Sequence, residues 1–313
     1  MNKENYDVLP IVNYCKRPKV ILVGNGINLP FAGAHTTDAI IQRGWKQNYG
    51  EELMGRQASP THKIWNIPFP LQIVAATKDH VQQCMTSLAE LFKNVEVTEE
   101  KKSFIKQILD VNADTILTTN YSLEFEKSTI DNFTEHKVYS KYKKTKNQTG
   151  QQQRLGIFQC TELPCANNPL LWHIHGTALR KNSMVMGSLY YGKLLSEVTE
   201  QASSVIKKYK AAEKSKHNMH FESWIDYFLI GDVHIFGFGL DFSESDIWWL
   251  LSFKKSTFPD AKTYFYGLDI TEEQMLMLKC YNVIVPEISV CGEQNNKNYL
   301  KFYEKVCKQL KGD

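Results

Sequence analysis

The stretch Asp114-Thr115-Ile116-Leu117-Thr118-Thr119-Asn120-Tyr121 decides the fold. Ile116 and Leu117, flanked by threonines, suit a short buried strand, and the strand stops abruptly at an Asn followed by an aromatic. In an open α/β sheet, ligands bind in the crevice beyond the carboxyl ends of the strands. Asn120 falls at such an end, where its amide offers both a donor and an acceptor. Two other stretches end in a similar way. Val20 to Val23 runs into Gly24-Asn25-Gly26-Ile27-Asn28, and Leu171-Trp172-His173-Ile174 runs into His175-Gly176. These three strand ends are expected to face one pocket.

Working outward, Lys19 to Val23 reads as a central strand, apolar and β-branched without the alternation of a half-exposed one. Glycines in the turn after it would permit positive φ and bring the backbone close to a ligand. A helix starting near Asn28 would aim its free N–H groups at the same spot and favour a phosphate there. The full dinucleotide fingerprint needs a third glycine near position 29, where this chain has Leu29, so a plain tight turn stays open. Between about 31 and 112 the composition turns helical, in Asp38 to Trp45, Leu71 to Asn94 and Glu99 to Leu109. This predicts a helical insertion between the first two sheet strands, able to act as a lid, with its Met and Phe residues in the core. Leu123 to Phe133 predicts a helix whose Glu124 and Glu126 complement the helix dipole.

His136 to Tyr142 is a candidate strand, and Lys141 to Arg154 a basic, Gln-rich surface loop. Leu170 to Ile174 is a strand, so His173 and His175, two apart, are expected on one side of it. A short apolar run, Ser183 to Gly187, and the pair Tyr190-Tyr191 come next. Glu197 to Tyr227 reads as a long helical region. Asp232 to Phe236 is the next strand, followed by Gly237-Phe238-Gly239-Leu240 and by Ser243-Glu244-Ser245-Asp246, a capped helix start. That makes a second possible cradle for a dinucleotide. Thr263 to Leu268 predicts a strand with Asp269 at its tip, Thr271 to Cys280 a helix, Val283 to Val285 a closing strand and Asn298 to Lys311 a terminal helix. Strands alternating with helices in this way predict an α/β fold, a Rossmann-like doubly wound parallel sheet with an inserted helical subdomain. The expected organisation is a lead-in at 1–18, a sheet domain at 19–290 and a C-terminal helix at 291–313 packed on it.

Bulk properties narrow the function classes. A chain of 313 residues with 42% hydrophobic residues supports a real core. A net charge of +3 argues neither for nucleic acid nor for an acidic membrane surface. No apolar run approaches the roughly 18 residues of a membrane span. Seven cysteines, an odd number, form no disulfide framework, and without a secretory signal the reading is cytoplasmic with reduced thiols. Cys160-x4-Cys165 lacks a second pair of ligands nearby, so no zinc or other metal is expected.

The strand ends, taken in order, resemble the sirtuin superfamily in its divergent bacterial branch. Sirtuins carry a Gly-Ala-Gly turn, a Thr-Gln-Asn-x-Asp strand end, a His-Gly pair and a later Gly-Thr/Ser-Ser strand end. Here these match Gly24-Asn25-Gly26-Ile27-Asn28, Thr118-Thr119-Asn120-Tyr121-Ser122, His175-Gly176 and Gly237-Phe238-Gly239-Leu240. The Thr-Thr-Asn-Tyr and Ile-His-Gly forms, the following Met-Val-Met-Gly-x-x-Tyr and the Ser-x-Ser-Asp-Ile after the late glycines resemble NAD hydrolases of anti-phage defence, such as Thoeris and abortive-infection effectors. The chain departs from the deacylases in three ways. It lacks paired Cys-x-x-Cys after His-Gly, it has Ser122 where they have Asp, and the Gly-Ile-Pro-Asp-Phe-Arg segment is missing.

The resemblance implies cleavage of the nicotinamide–ribose bond of NAD, the substrate, with water capturing the ribosyl centre to give ADP-ribose. It implies that Asn120 holds the ribose or the attacking water and that His175 is the general base. Gly24, Asn25, Gly26 and Asn28, with Thr118, Gly237, Gly239 and Ser243, would line the NAD site, and Asp269 would bind the adenosine ribose. A free NAD hydrolase would harm its own cell, so a homo-oligomer or an activating partner from a defence operon is expected to control it. Two other classes remain open: an NAD-dependent ADP-ribosyl or acyl transferase, and a catalytically silent nucleotide-binding module.

Overall fold

The computed structural model describes residues 11–12, 17–31, 69–77, 80–130, 140–141, 155–268, 270–290 and 296–312. The strands among them are β1 (Ile11–Val12), β2 (Lys19–Val23), β3 (Thr115–Thr118), β4 (Ser140–Lys141), β5 (Cys160–Glu162), β6 (Leu170–His173), β7 (Met219–His220), β8 (Asp232–Phe236), β9 (Thr263–Tyr266) and β10 (Val283–Ile284). The helices are α1 (Phe69–Thr77), α2 (Val81–Lys93), α3 (Glu99–Leu109), α4 (Glu124–Thr129), α5 (Leu155–Phe158), α6 (Gly187–Ser215), α7 (Trp224–Ile230), α8 (Ser245–Thr257), α9 (Glu272–Cys280) and α10 (Asn296–Lys311).

The main sheet has the order β10-β9-β8-β2-β3-β6-β5-β4. From β10 to β6 all neighbours are parallel, and β5 and β4 continue the edge antiparallel. In chain order the six parallel strands follow the 3-2-1-4-5-6 pattern of a dinucleotide-binding sheet. The chain enters at β2, builds outward through β3 and β6, then returns to β8 on the other side of β2. The topological switch point therefore lies between β2 and β8.

Residue chemistry explains why these strands are central. Val20 and Leu22 of β2 pack into one apolar cluster, and Ile21 and Val23 into another on the opposite face. β6 splits the same way, with Leu170 and Trp172 on one side and Leu171 on the other. A strand buried on both faces needs apolar residues at every position, which explains the continuous runs. The first face is covered by α6, α7 and α8, and the second by α3 and α10.

The predicted α/β class and doubly wound sheet are observed, and several local expectations are corrected. The expected insertion at 31–112 divides where it is described. Helix α3, capped by Thr98 Oγ1 on the Lys101 N–H, packs on the sheet through Phe104, Ile105 and Ile108 and is an ordinary crossover helix. Helices α1 and α2 form a separate small core with Tyr121, Ala178, Met184 and Met186, over the loops at the tips of β3 and β6. The predicted Asp38 to Trp45 helix lies outside the described residues. So do most of the 136–142 strand, the 142–154 loop and Asp269.

The lead-in is not wholly solvated, because β1 pairs antiparallel with β7. The predicted helical region from Glu197 to Tyr227 is two helices with β7 between them, and α6 begins ten residues earlier, at Gly187. Cys160 belongs to the short strand β5, between β6 and β4, for which the sequence carries no strand signal. Among the described residues, no helix is long and apolar enough to cross a membrane.

Candidate active site

The turns after β2 and β8 interlock at the switch point. The Gly26 N–H donates to the Gly237 carbonyl at 2.7 Å. A Cβ on Gly26 would lie 2.6 Å from that oxygen, and one on Gly24 would lie 2.7 Å from the Phe238 ring. Close approach of two backbones therefore explains these glycines. The expected positive φ is not found at the first turn, where Gly24 has φ −118°; it occurs at Gly237, φ +61°. No α-helix begins at Asn28 either, since Asn25–Asn28 is a single 3₁₀ turn. The Gly26 N–H is already used, so it is not a spare donor for a phosphate. Gly239 stands differently, with no atom within 4 Å of an added Cβ and its carbonyl accepting from Gln274 Nε2.

Asn120 sits at the tip of β3 and is held from three sides. Its backbone N–H donates to Thr118 Oγ1 at 3.1 Å, which occupies Thr118 in holding the strand end. Its Nδ2 donates to Glu124 Oε1 at 3.0 Å and approaches the Gly24 carbonyl at 3.4 Å. Its carbonyl accepts from His173 Nδ1 at 2.7 Å. Asn28 Nδ2 donates to the same Glu124 oxygen at 3.0 Å and to Asn25 Oδ1 at 2.9 Å. One buried carboxylate thus ties the first turn to the second strand end. Asn120 Oδ1 and Asn28 Oδ1 are buried with no hydrogen-bond partner among the described residues.

Glu124 and Glu126 correct the dipole reading. Both are 1% exposed, so neither is a solvated first-turn acid. Burial works to raise the Glu124 pKa, but the Lys101 ammonium and hydrogen bonds from Ser122 and Asn28 hold it below the usual carboxylate range. Glu126 Oε1 lies 3.0 Å from His173 Nε2. A backbone carbonyl at one ring nitrogen and a carboxyl group at the other favour the doubly protonated imidazolium form of His173. Burial opposes that charge, and Glu126 outweighs it, raising the His173 pKa.

His173 and His175 do not share a side, contrary to the strand-period expectation. Strand β6 ends at His173, and the chain then turns through Gly176 at φ +90°. No side chain fits there, because a Cβ on Gly176 would lie 2.0 Å from the Ser183 carbonyl. His173 turns toward α4, and His175 reaches the first turn of α8. His175 Nε2 is 3.0 Å from Asp246 Oδ2 and 3.8 Å from Glu244 Oε2. Its ring meets Tyr191 edge-on with centroids 5.6 Å apart. Burial would lower the His175 pKa, but Asp246 and Glu244 carry it up to about 9. Glu244 is pushed up to about 7, chiefly by burial, with His175 opposing and Asp246 and Asp241 reinforcing.

In sequence these acids read as a capped helix start. In the structure Glu244 is the N-cap of α8 but its side chain makes no capping bond. Ser243 Oγ is buried without a partner among the described residues, while the Ser243 N–H donates to Asp241 Oδ1. Among the described residues, His175, Glu244 and Asp246 also form a group whose donor atoms lie within 4.8 Å of one another. Charge pairing between one imidazolium and two carboxylates already accounts for that cluster.

Asn120, Asn25, Asn28, the paired glycine turns, His175 and Ser243 are all at the carboxyl ends of β2, β3, β6 and β8, on the side of the switch point. Asp269 lies outside the described residues. Sequence reasoning missed Glu124, Glu126, Tyr191, Glu244 and Asp246 as site members. One clue was available: Leu123-Glu124-Phe125-Glu126 mixes acids into an apolar run, and all four are buried. The fold and this site define a Rossmann-like α/β protein with a dense polar cluster at its strand tips. The chain matches no protein-family model, and no curated protein resembles it significantly in sequence.

Proposed function

We propose that this protein is a sirtuin-like NAD hydrolase that cleaves the nicotinamide–ribose bond to give nicotinamide and ADP-ribose. The observation that carries the reading is the meeting of four strand tips at the switch point of a 3-2-1-4-5-6 sheet, where dinucleotides bind in such folds. Asn120 Oδ1, buried and unpartnered among the described residues, is an acceptor for a ribose hydroxyl or for the attacking water. Glu124 and His173 fix its orientation, so little ordering remains to be done when substrate arrives. With Asp246 and Glu244 raising its pKa to about 9, His175 is read here as a cation and not as the general base that the resemblance implies. Its role here is to balance the two acids of α8.

Helices α1 and α2, packed over Tyr121, Met184 and Met186, are suited to exclude water from the crevice. The expected control by self-association or a partner protein is part of the proposal, as are a role in anti-phage defence and a cytoplasmic location. Exposed Leu71 on α1 and Leu189 on α6 are apolar contact points for such an assembly.

Product analysis tests the reading. Purified protein incubated with NAD and with bacterial proteins as acceptors should yield nicotinamide and free ADP-ribose in equal amounts. ADP-ribose attached to protein would make it a transferase. NAD bound but recovered intact would make it a silent nucleotide-binding module.

A further inference from the structure

We propose that Glu244 is the catalytic residue that takes the proton from the attacking water, with His175 acting on it as a positively charged positioning residue. This rests on the NAD-cleavage reading above. The trio at the α8 N-terminus divides its labour by geometry. Asp246 is sealed at 0% side-chain exposure and lies 3.0 Å from His175 Nε2. His175, at 3%, has Asp246 on one side, Glu244 on another and the Tyr191 ring at its edge. A histidine fixed as the cation between two carboxylates already carries the proton that a general base would have to accept.

Glu244 is the member that retains access, with 14% of its side chain exposed. It caps α8 without spending its carboxylate on the backbone. Tyr191 Oη donates to its Oε2 at 3.4 Å, which orients it from the helix that crosses the site. The charged and titratable groups around it are His175 from the β6 tip, Asp246 from α8, Asp241 from the preceding turn, Tyr191 from α6 and Tyr121 from the β3 tip. Burial and the neighbouring acids tune it to about 7, the range in which a carboxylate can both accept and release a proton. The trio also lies at the positive end of a helix dipole, which favours carboxylates over a bound cation.

In the step itself, a lone pair of the water oxygen forms the bond to the anomeric carbon of the ribose. The bond from that carbon to the nicotinamide nitrogen breaks, and its electron pair neutralises the pyridinium. The proton leaving the water passes to the Glu244 carboxylate and then to solvent. Nothing is oxidised or reduced.

The test uses the full chain. Glu244→Gln should lower nicotinamide release by about 10²- to 10⁴-fold with NAD affinity unchanged within a few-fold. The wild-type rate should rise with pH through an inflection near 7, and Glu244→Asp should restore part of the rate with that inflection displaced. Carboxyl-¹³C NMR of Glu-labelled protein, wild type against Glu244→Gln, should show one resonance titrating near 7 that the variant lacks. A Glu244→Gln protein that cleaves NAD at the wild-type rate overturns this proposal alone, and so does a Glu244 resonance titrating in the ordinary carboxylate range. Stoichiometric Mn²⁺ binding that Glu244→Gln abolishes and that activity requires overturns it in favour of a metal role. A wild type that leaves NAD intact overturns both this proposal and the reading beneath it.

Discussion

His173 and His175 are two residues apart, both nearly sealed from solvent and both beside carboxylates, yet their surroundings differ in kind. His173 has an acceptor on each ring nitrogen, one a carboxylate and one the backbone of Asn120. Every N–H it owns is spent on fixing a strand tip. His175 instead faces two acids at once, and the second of them keeps a path to solvent. The first arrangement holds a neighbour still. The second holds a charge imbalance next to a group that can titrate. Buried charge alone does not mark a catalytic residue; what matters is whether a titrating partner remains reachable.

That contrast is easiest to break by truncating each histidine. His173→Ala removes the only ring partner of Glu126 Oε1 among the described residues and leaves a carboxylate buried without compensation. Such losses typically cost about 3–5 kcal/mol, so the variant should unfold at markedly lower urea. Unchanged stability would mean the pair is not formed in solution.

His175→Gln is the complementary change. The amide keeps a hydrogen bond to Asp246 but not the positive charge. Losing one preorganised electrostatic group typically costs about 10²- to 10³-fold in rate, and that loss should appear in nicotinamide release with the fold intact. A rate within a few-fold of wild type would erase the distinction between the two histidines.

Gly26→Val tests the frame that both networks hang on. Its Cβ would press on the Gly237 carbonyl at 2.6 Å, so the two turns must separate. Overpacking of this type costs roughly 1–3 kcal/mol, and the denaturation midpoint should fall accordingly. A folded variant of normal stability whose sole defect is NAD affinity would return the glycine to a phosphate-binding role.

A further effect is in the pH dependence of stability. His175 has a folded pKa of about 9 against an ordinary value of 6.5 in the unfolded chain, so the native protein binds the extra proton over that window. Its contribution to stability is complete below about 6.5 and is lost as pH rises toward 9, because stability falls wherever the native state holds more protons. Lys254, buried on the carbonyls of Gly231 and Lys262 and lowered to about 7, acts with the opposite sign as pH rises above that value. The clean observable is the difference between wild type and His175→Gln. It should shrink steadily between these limits, and a flat difference would deny His175 its raised pKa.

The sheet was legible because its signal is local. Val20 to Val23 and Ile116 to Leu117 are apolar runs, and Val233, Ile235 and Phe236 are the apolar positions of the next strand; each stretch stops at glycine or asparagine, and both the pattern and its stop are read from neighbours in sequence. Strands β1, β5 and β7 carry no such signal, since two or three residues are too few to show an apolar run or alternation. The site was half legible for a related reason. Asn120 and His175 stand at strand tips, a position that sequence reveals. Glu124, Glu126 and Asp246 stand in first turns of helices and Glu244 at an N-cap, where an acid has a sufficient local explanation in the dipole. Only tertiary packing separates a solvated acid from one sealed against a histidine fifty or seventy residues away in the chain.

The central claim, that the strand tips form an NAD-cleaving site organised around Asn120, is tested most directly by comparing initial rates of nicotinamide release from NAD by the wild type and by Asn120→Ala. The expected result is release by the wild type, matched by free ADP-ribose, and a loss of roughly 10²-fold in a variant that remains folded. Equal rates in the two proteins, or NAD recovered intact from both, would contradict it.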